Sequence, residues 1–167
     1  LLQERLQAEP GKVIYRFWEN GSVIDEMSYA ALDQRARAVA AHLQNIAPAG
    51  ERVILAFPQS LKPITAFFAC LYAGMVAVPI PLPPMNRLEI LKRFLGDAQS
   101  QTILTISSIS SSLWPEAEVA GLGHIRWINM DEVDQASATN WKNPGLSPDM
   151  PALMLYTSGS TNLPRGI

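Results

Sequence analysis

The chain has 167 residues, of which 48% are apolar and 17% charged, values typical of a globular domain rather than a disordered segment. Its formal net charge is −2 at pH 7 with both signs interspersed, so neither nucleic acid nor an anionic membrane is expected as a partner. The one cysteine, Cys70, excludes an intramolecular disulfide and favours a cytoplasmic location.

The first predicted element is a β-hairpin. Residues 13–18 and 23–27 have strand-forming compositions, and Asn20-Gly21 between them is a hairpin-turn signal.

A long amphipathic helix follows, with Ser28 as its expected N-cap. Its apolar stripe has helical spacing and consists of Tyr29, Leu32, Ala36, Val39, Leu43 and Ile46. The residues expected off this stripe are Asp33, Gln34, Arg35 and Arg37.

A second helix is predicted between two short buried strands at residues 52–57 and 76–80. Ser60 is expected to cap this helix and Gly74 to end it. One face of the helix carries Ile64, Phe67, Phe68, Leu71 and Tyr72. Residues 63–86 carry no charge, but Gly74 and four prolines interrupt them, so we expect a helix, a turn and a strand rather than a membrane span.

The remaining elements continue the alternation of strands and helices. A third helix is predicted from one-sided apolar residues, namely Leu88, Leu91, Phe94, Leu95 and Ala98. Residues 102–106 and 125–129 are predicted strands, residues 107–112 a loop or helix entry, and residues 137–151 a long connection. This order predicts an α/β domain with a mostly parallel sheet and flanking helices.

The last dozen residues carry most of the functional information. An apolar run at residues 152–156, predicted as a strand, leads into hydroxyls, a glycine and a cation: Thr157, Ser158, Gly159, Ser160, Thr161 and Arg165. Small residues let backbone N–H groups approach phosphate oxygens, hydroxyls add donors, and a cation offsets charge. We therefore interpret the run as a phosphate-binding loop at the carboxyl end of a strand. The alternative is a Ser/Gly-rich surface turn.

Other polar or reactive residues are expected to have structural roles. Cys70 lies in an apolar stretch, which favours an inert core thiol. His42 is expected to be solvated near a helix end, and His124 to lie in a loop. No His, Cys or carboxylate pair has metal-ligand spacing, so no metal site is predicted. An acidic, solvated turn is expected at Asp131, Glu132 and Asp134. Three tryptophans are expected to be packing residues, namely Trp114, Trp127 and Trp141.

Residues 156–166 resemble the phosphate-binding loop of the adenylate-forming superfamily, which comprises acyl-CoA synthetases, adenylation domains of non-ribosomal peptide synthetases, and luciferases. The family pattern is Tyr-Thr-Ser-Gly-Ser/Thr-Thr-Gly-x-Pro-Lys-Gly. Residues 27–36 resemble the family's first amphipathic helix, and residues 70–79 resemble its Tyr-Ala-Gly-x-x-x-x-Pro segment. The segments that are similar to one branch, the fatty acyl-AMP ligases, are residues 86–91, 97–99, 104–105 and 141–149.

Three positions depart from the family pattern. Asn162 stands where the family has glycine, and asparagine tolerates a positive φ better than most residues. Arg165 replaces the usual lysine, so the charge is kept on a planar guanidinium. Leu155 stands where the fatty acyl-AMP ligases often carry glutamine.

The resemblance implies that residues 1–167 are part of the N-terminal AMP-binding domain of a longer enzyme. The chain begins on Leu1 and stops one residue after the loop, which also suggests a fragment. The Mg²⁺-binding acid, the adenine and ribose contacts and the catalytic lysine of the hinged C-terminal domain are then expected beyond Ile167. No catalytic residue is therefore assigned, and this chain alone is expected to be inactive.

The implied activity is ATP-dependent conversion of a fatty acid to its acyl-adenylate, with Mg²⁺ as cofactor and pyrophosphate as product. The acyl group would then pass to the phosphopantetheine thiol of an acyl carrier protein, or to coenzyme A. The phosphate contacts would come from Thr157, Ser158, Gly159, Ser160, Thr161 and Arg165. The alternatives are an acyl-CoA synthetase, an amino-acid adenylation domain, or a non-catalytic nucleotide-binding or interaction module.

Overall fold

The structure is a computed structural model that describes residues 2–84, 88–157 and 165–166. The α-helices found in these ranges are α1 Leu2–Ala8, α2 Tyr29–Ile46, α3 Lys62–Ala73, α4 Leu88–Ala98 and α5 Ser107–Val119. The strands are β1 Val13–Glu19, β2 Ser22–Ser28, β3 Arg52–Leu55, β4 Val76–Pro79, β5 Thr102–Thr105, β6 Arg126–Asn129, β7 Tyr156–Thr157 and β8 Arg165–Gly166. Two 3₁₀ helices follow β6, at Met130–Glu132 and Gln135–Asn140.

The predicted β-hairpin is confirmed. β1 and β2 pair antiparallel, and the turn residues Asn20 and Gly21 have φ values of 50° and 80°. Positive φ at both central positions is what a two-residue hairpin turn requires, which explains why an Asn-Gly pair occupies them. The hairpin is thereby fixed locally by its turn.

The central sheet is parallel, with the strand order β4-β3-β5-β6. In its register Ile54 lies between Val78 on β4 and Ile103 on β5. The chain moves in one direction from β3 to β4 and in the other from β4 to β5, so right-handed crossovers place the intervening helices on opposite faces. The predicted α/β class with a mostly parallel sheet is confirmed.

Two cores form as a result, one on each face of this sheet. The first packs α2 and α3 against β3 and β5, through residues such as Val39, Cys70 and Leu104. The second packs α4 and α5 on the other face, with Phe94 and Leu113 among its buried members. No helix in the described ranges is both long enough and apolar enough to cross a membrane.

Helix α2 begins as predicted, but it also buries residues outside the predicted apolar stripe, and one of them is charged. The Ser28 hydroxyl accepts a hydrogen bond from the Ala31 amide at 3.2 Å, which confirms the N-cap. Asp33, predicted off the stripe, is buried instead. Its carboxylate accepts hydrogen bonds from the Tyr72 hydroxyl at 2.8 Å and from Arg37 Nε at 2.7 Å. The prediction was wrong because α3 packs along that side of α2 and brings a polar partner.

Helix α3 corrects two expectations. Its N-cap is Leu61, which makes no side-chain cap hydrogen bond. Ser60 lies one residue before the N-cap, and its hydroxyl accepts a hydrogen bond from the Lys62 amide at 3.3 Å. The fully buried residues of α3 are mostly small, namely Thr65, Ala66, Ala69, Cys70 and Ala73. The larger predicted face is only half-buried because small side chains allow α3 to approach α2 closely. Gly74 ends the helix at φ 74°, as predicted.

Helix α4 buries all five residues predicted for its apolar face.

Residues 107–112 form the first turns of α5, which confirms the predicted helix entry. The N-cap of α5, Ile106, offers no side-chain acceptor, and Asp131 supplies one from across the chain. Its carboxylate oxygens accept from the Ser107 amide at 2.9 Å and from the Ser107 hydroxyl at 2.6 Å. Burial acts to raise the pKa of Asp131, but these hydrogen bonds outweigh it and lower that pKa.

The connection predicted at residues 137–151 is held against α2 and α3. Trp141 Nε1 donates to the Tyr72 carbonyl at 2.7 Å, and the Arg37 guanidinium lies 4.3 Å from the centroid of the Trp141 indole. Gln44 on α2 exchanges two hydrogen bonds with the backbone of Lys142. Trp141 thus has the packing role predicted for it, and it directs the connection back towards β4.

Candidate nucleotide-binding loop

The apolar run before the loop lies beside β4. Leu153 forms a parallel bridge with Ala77, whose amide donates to the Ala152 carbonyl at 3.1 Å and whose carbonyl accepts from the Met154 amide at 2.9 Å. The run therefore has the same direction as the strands of the central sheet. The loop follows the carboxyl end of this run in sequence, and in open α/β sheets ligand-binding loops follow the carboxyl ends of strands.

The strand predicted at residues 152–156 is nevertheless wrong in its extent. Only a single bridge forms there, and the Leu153 and Leu155 side chains are 39% and 48% exposed. Pairing to β4 on one side alone supplies two backbone hydrogen bonds, which is too few for a regular strand. A regular strand needs hydrogen-bonding partners from other segments, and the sequence of the run does not show where those partners lie.

The loop is closed at its base by a short antiparallel pair, β7 with β8. Tyr156 is paired with Gly166, and Thr157 with Arg165. The structure thus places the backbones of two predicted phosphate-binding residues, Thr157 and Arg165, opposite each other. The other predicted site residues lie outside the described residues: Ser158, Gly159, Ser160 and Thr161.

The base of the loop is seated on α4 through Tyr156. The phenol ring packs edge-to-face on Phe94, with ring centroids 4.7 Å apart. The Tyr156 hydroxyl donates to Asp97 Oδ2 at 2.8 Å. Burial, and then the hydrogen bond to Asp97, raise the pKa of Tyr156. Sequence reasoning missed this contact, because Asp97 entered it only as part of a segment that resembles the family.

The far end of α4 is tied to the central sheet near this seat. Arg52, the first residue of β3, donates through Nη1 to the Ala98 carbonyl at 2.9 Å and to Gln99 Oε1 at 3.1 Å. Leu95 and Ala98, in the same end of α4, are buried. Helix α4 is therefore anchored to the sheet at the end that contacts Tyr156.

Two cavities of the described chain lie away from the loop. One, of about 320 Å³, is lined by Asp25, Arg35, Lys62 and Asp131 among others, and the second, of about 400 Å³, lies along β6 near His42 and Asp134. Their described lining includes none of the predicted loop residues. Among the described residues, no group of three His, Cys, Asp or Glu side chains is arranged to hold a metal ion.

The chain is similar to members of one enzyme family and to ligases that act on fatty acids. The AMP-binding enzyme family matches residues 2–167. The medium-chain-fatty-acid–[acyl-carrier-protein] ligase JamA of Moorena producens is 39% identical, over all of this chain and 29% of its own length. The long-chain-fatty-acid–AMP ligase FadD32 of Mycolicibacterium smegmatis is 34% identical over 93% of this chain and 26% of its own length.

Among solved structures, the fatty acyl-adenylate ligase from L. pneumophila, crystallised with acyl adenylate and pyrophosphate, superimposes with a TM-score of 0.89. It is 31% identical, and the match covers 99% of this chain and 29% of that protein. The chain thus spans less than a third of the length of these relatives. Because the family match extends over residues 2–167, the chain belongs to the AMP-binding enzyme family.

Proposed function

We propose that the protein containing this chain activates a fatty acid with ATP and transfers it to the phosphopantetheine thiol of an acyl carrier protein. The observation that carries the proposal is the base of the loop, where the Thr157 and Arg165 backbones pair with each other just after a run that lies parallel to β4. Its support comes from relatives that are named as fatty-acid ligases and match along nearly the whole chain. Residues 1–167 would form part of the N-terminal AMP-binding domain.

In the first step, a carboxylate oxygen of the fatty acid bonds to the α-phosphorus of ATP, and the bond to the bridging oxygen of the β-phosphate breaks. Pyrophosphate leaves with its electron pair, and an acyl-adenylate remains. In the second step, the thiol loses its proton as its sulfur bonds to the acyl carbon, the bond from that carbon to the phosphate oxygen breaks, and AMP leaves with the electron pair. Chemistry of this kind depends mainly on positioning and on stabilisation of charge.

The role of this chain is to hold the phosphates. The hydroxyls of Thr157, Ser158, Ser160 and Thr161 would donate to phosphate oxygens, and the backbone around Gly159 would add N–H donors. Arg165 would offset the negative charge of the departing pyrophosphate, and its backbone lies opposite Thr157 at the base of the loop. Mg²⁺ bound to the ATP phosphates would neutralise further charge. A reducing, cytoplasmic environment is proposed from the lone, buried Cys70.

The test is Thr161→Ala in the full-length protein, measured by fatty-acid-dependent exchange of pyrophosphate into ATP. We expect at least a tenfold loss of exchange, since removal of one preorganised donor to a reacting oxyanion slows catalysis by about 10²–10³-fold. Thr139→Ala is the matched control, because the Thr139 hydroxyl donates to the Ala136 carbonyl in an exposed 3₁₀ helix. Wild-type exchange in Thr161→Ala would remove this residue from the phosphate site.

The acceptor is tested separately. Acyl-adenylate that accumulates in the presence of coenzyme A, and is consumed when a phosphopantetheinylated carrier protein is added, supports the proposal. Rapid formation of acyl-CoA would instead identify an acyl-CoA synthetase. Exchange with amino acids but not with fatty acids would identify an amino-acid adenylation domain, and exchange with neither would favour a non-catalytic module.

A further inference from the structure

We propose that Tyr156 and Asp97 are positioning residues that seat the phosphate-binding loop on α4 through the hydroxyl–carboxylate hydrogen bond between them. The proposal rests on the proposed function, because it concerns how the same loop is presented to ATP. It assigns a role to Asp97, which lies outside the loop in sequence.

Tyr156 lies where a change in its position would affect both strands at the base of the loop. It is the first residue of β7, and its pairing partner Gly166 lies in the returning arm β8. A displacement of Tyr156 therefore moves both arms of the base, and with them the pair formed by Thr157 and Arg165. Tyr156 packs against the core that holds α4, whereas Leu155 before it is 48% exposed.

The support beneath Tyr156 is well fixed. Phe94 is only 6% exposed and belongs to the core between α4 and the sheet. The end of α4 is held by Arg52 through the Ala98 carbonyl. The packing of Tyr156 on Phe94 sets the distance of the base from α4, and the hydroxyl bond to Asp97 at 2.8 Å adds the directional restraint that ring packing lacks.

Asp97 itself is exposed and does not belong to the buried face of α4, so its substitution leaves that packing in place. The chain offers a matched pair for comparison: Tyr72 donates to Asp33 at the same distance of 2.8 Å. That second pair lies between α2 and α3, within the core on the opposite face of the sheet. Loss of the Tyr72 hydroxyl should weaken the fold without displacing the base of the loop.

The experiment compares Tyr156→Phe, Asp97→Ala and Asp97→Asn with Tyr72→Phe in the full-length protein. We expect Tyr156→Phe and Asp97→Ala to raise the KM for ATP by about three- to tenfold, with kcat within about twofold of wild type. The reason is that a loop seated for a smaller fraction of time binds ATP more weakly, whereas saturating ATP restores the seated state. Asp97→Asn keeps an acceptor oxygen and should restore most of the ATP affinity.

A structural readout accompanies the kinetics. Backbone amide hydrogen exchange in peptides that cover β7 and β8 should be faster in Tyr156→Phe and Asp97→Ala than in wild type, and unchanged in Tyr72→Phe. Tyr72→Phe should lower the melting temperature and leave the KM for ATP unchanged. The double variant of Tyr156→Phe with Asp97→Ala should be no worse than either single variant, because the two residues share one hydrogen bond.

An unchanged KM for ATP in both Tyr156→Phe and Asp97→Ala would overturn the inference, as would an equal rise in Tyr72→Phe. These failures differ from failure of the proposed function, in which the wild-type protein itself shows no fatty-acid-dependent exchange. In that case hydrogen exchange decides: equal rates at β7 and β8 in wild type and Tyr156→Phe reject the seat, and faster rates in the variant uphold it.

Discussion

At the residue scale, Cys70 shows how burial sets chemistry. The side chain is fully buried beside Ala66 and Ala69, and burial raises the pKa of its thiol to about 12. The prediction of an inert core thiol is therefore confirmed by its surroundings. A thiol is nucleophilic only as the thiolate, and this one stays protonated at neutral pH.

We expect native Cys70 to be unreactive towards a thiol reagent such as DTNB at pH 8 and to react fully once the protein is unfolded in guanidinium. Because its pKa is higher in the folded state than the ordinary value of about 8.5, the related stabilisation is complete below pH 8.5 and is lost as pH rises towards 12. The check is the labelling rate with and without denaturant, and the unfolding free energy of wild type against Cys70→Ala from pH 8 to 11. Labelling at the rate of the unfolded chain would contradict the assignment.

At the scale of elements, the end of α3 depends on one backbone conformation. Gly74 has φ 74°, and its amide donates to the Leu71 carbonyl at 3.1 Å. A Cβ at this position would lie 3.1 Å from the Cβ of Pro144, in the connection that runs back towards β4. The glycine therefore serves two purposes, a left-handed turn and a close approach between segments.

Gly74→Ala should destabilise the protein by about 1–2 kcal/mol, because an L side chain is strained at this φ and must push Pro144 away. Gly96→Ala is the control, since Gly96 lies within α4 and a Cβ there meets nothing within 4 Å. That change should stabilise the protein by about 0.5–1 kcal/mol. Urea unfolding measures both, and equal effects of the two substitutions would refute the explanation.

At the scale of the whole molecule, one polar cluster joins three segments that are distant in sequence. Asp33 and Arg37 belong to α2, Tyr72 to α3 and Trp141 to the connection after the second 3₁₀ helix. Burial, and then the hydrogen bond to Asp33, raise the pKa of Tyr72, so this phenol stays a neutral donor. The cluster fixes the connection on the same face of the sheet as α2 and α3.

Arg37→Ala should cost about 1–3 kcal/mol, because it leaves the buried Asp33 without its cation and removes the guanidinium from the Trp141 ring. The control is Arg35→Ala on the exposed side of the same helix, which should change stability by no more than about 0.5 kcal/mol. Thermal or urea unfolding of both variants provides the measurement. An equal loss in Arg35→Ala would show that helix propensity or net charge, and not the cluster, is responsible.

Features that depend on neighbouring residues were predicted correctly, and features that depend on distant segments were not. The hairpin turn, the Ser28 cap, the Gly74 stop and the buried face of α4 were all predictable, because each depends on residues within one turn or one helix. Wrong expectations arose where a distant segment decides: the burial of Asp33, the buried face of α3, and the extent of the run at 152–156. Sequence periodicity does not show which side of an element has a neighbour.

By itself, the sequence determined the alternation of strands and helices from β1 to β5, the α/β class and the loop motif that resembles the family, but not helix α1 or the two 3₁₀ helices. The features that it determined follow from local conformational preferences and from an unusual order of small, hydroxyl and basic residues. Only the tertiary structure decided the strand order β4-β3-β5-β6, the pairing of Thr157 with Arg165, and the seat of Tyr156 on Phe94 and Asp97. The strand order and the seat of Tyr156 join residues far apart along the chain, so they exist only once the sheet and its helices have packed, and the Thr157–Arg165 pairing depends on a chain reversal that the loop composition alone does not specify.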